Sequence, residues 1–159
     1  MPNNSISNNS ILNNSISNNS NPNKSTQEYL NNIKMENSAS FVSDKDNFEN
    51  TTLAGHLRQL MNEKQITRSD IVKNSSLSET YAWLIINGQR RPTRNKLLQI
   101  CFAMTLTQDQ ANKLLTIGSV GALYAKNQRD AVLIYSLENK LTLFEADELL
   151  YNLSLETCS

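Results

Sequence analysis

The stretch that leaves this chain least freedom is residues 67–96, TRSDIVKNSSLSETYAWLIINGQRRPTRNK. Thr67, Ser78 and Thr93 each stand where a side-chain oxygen can accept the first free amide of a helix. Asp70 sits three residues after Thr67, the spacing of a capping box. Ile71 and Val72 then point inward, Asn74-Ser75-Ser76 forms a polar turn, and Leu77 before the next cap packs down as a staple. A second helix spans 78–87. Its apolar side is Ala82, Ile85 and Ile86, and Glu79, Thr80, Trp83, Leu84 and Asn87 fall on the opposite face. Gly88 is placed to end it in the left-handed conformation.

Helical periodicity runs through the flanking sequence as well. Thr52 precedes Leu53, Leu57, Leu60 and Met61, spaced as one helical stripe. His56 beside that stripe reads as an exposed or half-exposed surface residue. Thr93 opens an apolar run from Leu97 to Met104, and Thr107 opens a helix with Ala111, Leu114 and Leu115 inside, ending near Gly118. The connector 118–128 is held by Val120, Leu123 and Tyr124. A helix over 129–139 is apolar almost all round, which places it centrally or at an interface. Thr142 caps the last helix, with Leu143, Phe144, Leu149, Leu150 and Leu153 apolar. No segment alternates as a strand does, so the expected class is all-α.

The first 50 residues differ in kind. NNSIS, NNSIL, NNSIS and NNSNP repeat at a period of five from Asn3 to Pro22. Asn and Ser compete with the backbone for hydrogen bonds, and so few apolar side chains cannot offset the entropy of ordering. A disordered tail and linker is expected over 1–50, with a weak helix over 27–36. The folded region then divides into 51–118 and a two-helix extension, 119–159, packed on it.

Formal net charge is zero, so the distribution carries the information. Residues 1–51 hold three lysines against five acids, and the remainder has the opposite bias. Arg90, Arg91, Arg94 and Lys96 form a single-signed cluster with no acid between them. There is no secretory leader pattern, and no run approaches the roughly 18 apolar residues of a membrane span. Cys101 and Cys158 are too few for a disulfide framework and read as reduced thiols of a cytoplasmic protein. One histidine and two distant cysteines give no metal-ligand spacing, and no cofactor is implied. Glu145, Asp147 and Glu148 lack the stacking and the neighbouring base of a catalytic pair and read as a solvated helix face. With four glycines in all and no phosphate-cradling loop, no enzyme is expected.

The layout of residues 67–107 resembles the XRE family, the Cro/CI-type helix-turn-helix regulators. The resemblance rests on Thr67-Arg68, Ile71-Val72, Ser76, Leu77-Ser78, Gly88, Arg90, Pro92-Thr93 and the apolar run from Leu97 to Met104. It implies a lambda-repressor-like domain of five helices, here followed by two more, and a sequence-specific regulator of transcription that binds double-stranded DNA. By the family's geometry, helix 78–87 enters the major groove. Glu79, Thr80, Trp83 and Asn87 then face bases, and Arg68, Arg90, Arg91, Arg94 and Lys96 face phosphates. If three of those five reach the backbone, log K falls against log salt with a slope of about −3 per subunit. Specificity then calls for a homodimer with recognition helices about 34 Å apart, the last two helices offering the surface. Arg68 stands where the family favours Gln, and Ser76 where it favours Gly. Glu79, Trp83 and Leu84 are unusual on a reading face, and they equally suit a protein partner. The alternative is therefore an antitoxin-like or adaptor module on the same scaffold.

Overall fold

A computed structural model describes residues 25–34 and 51–159. The expected disordered tail lies outside the described residues except for α1, Thr26–Lys34, where Ser25 and Glu28 exchange hydrogen bonds of 2.9 and 3.4 Å across the first turn. The chain divides at residue 50, and Thr51–Ser159 form one compact unit.

In that unit seven helices open by the same device. Thr52, Thr67, Ser78, Thr93, Thr107, Asn127 and Thr142 are all extended, and each side-chain oxygen accepts the amide three residues on. Such a cap is worth about 1 kcal/mol. The helices are α2 Leu53–Glu63, α3 Arg68–Lys73, α4 Glu79–Ile86, α5 Arg94–Ala103, α6 Gln108–Ile117, α7 Gln128–Glu138 and α8 Leu143–Asn152. Capping boxes reinforce α3, α6 and α8. The reciprocal bonds of Thr67 hold the Asp70 carboxyl below its ordinary value, and those of Thr142 do the same for Glu145. No strand occurs among the described residues, and the unit is all-α. None of the described helices is long and apolar enough to cross a membrane.

Helix ends are equally regular. Gln65, Thr105, Ser119, Lys140 and Ser154 carry positive φ just past a helix, as does Gly88 at φ +71°. After α7 the Lys140 and Leu141 amides return to Leu137 and Ser136, a Schellman closure. Gly118 itself stays helical at φ −70°, and the left-handed residue there is Ser119.

The centre is α5; the 129–139 helix, expected centrally or at an interface, is not the central one. Residues 97 to 103 of α5 are all buried, because α3, α6 and α8 close around it. α2 lies on α4 and α6, α3 on α4, α6 on α7, and α7 on α8. Leu57, Ile71, Ile85, Leu114, Leu133 and Leu150 join α5 in one core, each contributing about 1.5–3 kcal/mol by burial. Three residues depart from expectation. His56 is buried at 7% exposure, because α2 turns that side toward the core. Val72 is only half-buried. Tyr124 is 61% exposed and anchors the connector through its backbone amide.

The extension is joined to α5 by polar clamps. Arg94 holds Asp130 through two parallel bonds of 3.0 and 2.9 Å and donates to the carbonyls of Gly121 and Ala122, both at 3.2 Å. Burial alone would push the Asp130 carboxyl up. The Arg94 bonds, the Tyr124 amide at 3.0 Å and the nearby Arg129 charge outweigh it and hold that carboxyl below its ordinary value. Arg129 donates to the Glu156 carbonyl at 2.7 Å and to Asn95 at 2.8 Å, which ties residues 155–159 back over α5.

Candidate nucleic-acid interface

The outer surface of α3 and α4 follows from their first residues. Thr67 and Ser78 cap the two helices, which places Arg68 and Glu79 each at a first helical position. There they meet: Arg68 Nε lies 3.0 Å from Glu79 Oε2, with the side chains 46% and 56% exposed. A pair so exposed contributes about 0–1 kcal/mol to stability. Its larger effect is on charge, since the acid on this surface is neutralised by an adjacent guanidinium. Arg68, Glu79, Thr80 and Trp83 line a shallow open depression of about 290 Å³, and Trp83 is 40% exposed.

The other end of α4 is held from three directions. Gly88 makes the left-handed turn, and the Gln89 and Arg90 amides return to the Leu84 carbonyl at 2.8 and 3.2 Å. A Cβ added at Gly88 would lie 3.2 Å from the Ala54 Cβ, so α2 and α4 approach closely there. Arg58 of α2 donates to the Ile86 carbonyl at 3.3 Å, a cation at a helix C-terminus. Little in the sequence signals this contact, because the target of Arg58 is 28 residues away.

The loop beyond separates the basic residues by role. The Arg90 guanidinium stands 5.0 Å over the Tyr81 ring, which fixes it against α4 at a gain of about 0.5–1 kcal/mol. Arg91 is exposed, Pro92 is buried and Lys96 is half-buried on the first turn of α5. Arg94 is different. Four of its N–H groups are bonded within the fold, so it acts as the clamp on Asp130 rather than as an outward cation. Asn87 is the C-cap of α4, and its Nδ2 donates back to the Trp83 carbonyl at 2.9 Å. That bond closes the helix with one of the two Nδ2 hydrogens, and the residue is exposed. Of the nine site residues, the structure gathers Arg68, Glu79, Thr80 and Trp83 around one depression.

The turn before α4 winds without strain. Ser76 has no positive φ; its N–H donates to Gln99 Oε1 at 3.2 Å, and the Ser75 hydroxyl accepts the Leu77 amide at 3.2 Å. Glycine is therefore not required in this turn. Of the acids of α8, Glu145 and Glu148 are exposed, while Asp147 is half-buried and accepts the amides of Cys158 and Ser159. Both cysteines are free and buried, and burial pushes each thiol up to about 12. No cluster of three metal-ligating side chains occurs among the described residues. No family model, curated protein or solved structure matches this chain.

Proposed function

We propose that the Thr51–Ser159 unit is a sequence-specific DNA-binding regulator of transcription of the XRE type, with a lambda-repressor-like helix-turn-helix. In this reading α4 enters the major groove of double-stranded DNA, and the protein works as a homodimer. The observation that carries it is the outer surface of α3 and α4. A capped helix pair presents Glu79, Thr80 and Trp83 outward, with Arg68 paired to the acid and Arg90 and Arg91 on the loop behind. An unpaired Glu79 would be repelled by phosphates. Paired with Arg68, it can accept from a cytosine amino group while Trp83 meets a thymine methyl. Phosphate contacts fall to Arg68, Arg90, Arg91 and Lys96, since the Arg94 donors are committed within the fold. Two or three such contacts give a salt slope of about −2 to −3 per subunit.

Titration of the full chain into a labelled duplex from upstream of its own gene, by fluorescence anisotropy at several salt concentrations, tests this reading. Retention that weakens steeply with salt supports it; no retention at 50 mM salt sinks it. A second reading has its own observation. Trp83 at 40% exposure, with Phe144 at 77% and Tyr151 at 76%, also suits a protein partner, as in an antitoxin-like or adaptor module. The pair of substitutions Arg90→Ala and Arg91→Ala separates the two, abolishing DNA retention under the first and leaving partner binding intact under the second.

A further inference from the structure

The central helix carries one fully buried polar side chain that the proposed interface does not use. Gln99 has 0% exposure in the middle of α5, and its amide is engaged at both ends. Nε2 donates to the Cys158 carbonyl at 2.5 Å, and Oε1 accepts the Ser76 amide at 3.2 Å. Ser76 lies in the turn between α3 and α4, where a backbone N–H has no helix to bond into. Beside this relay the hydroxyls of Ser76 and Ser159 meet directly at 3.1 Å.

The segment 155–159 is also fastened by groups outside the turn. Asp147 of α8 accepts the amides of Cys158 at 2.6 Å and Ser159 at 3.0 Å. Arg129 donates to the Glu156 and Thr157 carbonyls, and Asn95 donates to the Glu156 carboxylate at 2.8 Å. The two bonds of Gln99 therefore put the turn and the segment on one buried side chain. If the segment lifts, the buried Nε2 loses its acceptor, and the side chain gains by rotating away from Ser76 to find another.

We propose that Gln99 is a positioning residue that couples the docking of segment 155–159 to the turn at Ser76, so that the segment sets the placement of α4 against α3. The consequence for base reading rests on the function proposed above; the coupling itself does not. Specificity of the surface is then adjustable from a segment whose Ser159 lies 83 residues beyond Ser76. Anything that displaces the segment loosens the reading helix without touching it.

The test uses Asp147→Ala in the full chain, because Asp147 bonds the segment and not the turn. Two rates are read on the protein alone: amide hydrogen exchange at Ser76, and alkylation by iodoacetamide at Cys158, mapped by peptide mass. The Cys158 thiol is 2% exposed while the segment is docked. Both rates should rise on the order of tenfold, the effect expected of losing hydrogen bonds. Exchange at Leu114 and Leu115 in α6 should not change. Gln99→Met, which breaks the relay itself, should raise the same two rates. Should Asp147→Ala loosen the whole unit, seen as faster exchange at Leu114 and Leu115, Asp147→Asn provides the comparison, since it keeps one acceptor. Faster alkylation at Cys158 with Ser76 exchange unchanged overturns the coupling, and so does no change in either rate. If the protein binds DNA, Gln99→Met lowers affinity for its site while the salt slope stays at the wild-type value, because no phosphate contact is lost. If the wild type binds no DNA, the function reading fails, and the two rates still decide the coupling.

Discussion

Arg94→Ala removes the clamp between α5 and the extension, and the structure sets the scale of the loss. Asp130 is 6% exposed and takes two charge-assisted bonds from Arg94 at 3.0 and 2.9 Å. After the substitution its carboxylate keeps the Tyr124 amide but loses the adjacent charge. Removing one partner of a buried pair costs about 3–5 kcal/mol. The Arg94 side chain is 27% exposed, so water reaches the gap and lowers the cost to roughly 2–4 kcal/mol. In a unit this size that corresponds to a fall in Tm of about 10–15 °C. Urea denaturation measures it as a lower midpoint at unchanged slope. The pH dependence is a sharper check. A carboxyl held below its ordinary value stabilises the fold above the usual carboxylate range, and that contribution is lost as pH falls through the folded value. With Arg94 gone, burial dominates and Asp130 protonates more readily. The gap between wild type and variant is therefore widest near pH 7 and narrows toward pH 3. A loss under about 1 kcal/mol at pH 7, or a gap that widens on acidification, refutes the reasoning.

A double-mutant cycle on Arg68→Ala and Glu79→Ala should give a coupling below about 1 kcal/mol that shrinks further in 0.5 M salt; a larger, salt-independent value would mean the pair is desolvated. Gly88→Ala should cost roughly 1–2 kcal/mol in thermal unfolding, since φ is +71° and the new Cβ meets Ala54 at 3.2 Å. Lys140→Gly should do the reverse and stabilise by about 0.5 kcal/mol. It relieves roughly 1–2 kcal/mol of left-handed strain at φ +53° against 0.5–1 kcal/mol of added chain entropy, and a lower urea midpoint would contradict this. Under the proposed DNA-binding function, Arg91→Ala should reduce the salt slope of binding by about 0.9, whereas Arg94→Ala, compared at equal folded fraction, should leave it unchanged.

Local grammar carried the helix boundaries. Thr52, Thr67, Ser78, Thr93, Thr107 and Thr142 were legible as caps because each precedes an apolar run at helical spacing, and all six accept the amide expected of them. Asn127 was missed because the apolar run of α7 starts late, at Ala131, and drew the expected start toward Arg129. Ser119, Thr105 and Lys140 could not be recognised as left-handed, since nothing in a Ser, Thr or Lys codes for it; the Schellman hydrogen bonds impose it. The candidate site divides the same way. Arg68 and Glu79 were both legible as surface residues, but the ion pair between them depends on the angle at which α3 meets α4.

The hidden part of the design is polar and distant in sequence. A basic cluster read along the chain treats Arg90, Arg91, Arg94 and Lys96 as equivalent, and helical rotation distributes them differently. Arg94 turns toward an acid 36 residues later, and Arg90 lies over the aromatic ring of α4. Gln99 sits in an apolar run, where its amide could be kept only if both ends found partners. A single buried Gln within an otherwise apolar run is therefore a usable signal. It implies two hydrogen-bonding segments brought to the same point, here the Ser76 turn and the Cys158 carbonyl. Buried charged and amide side chains at the centre of such a unit report on its connections, while exposed ones such as Arg68 and Glu79 can pair locally.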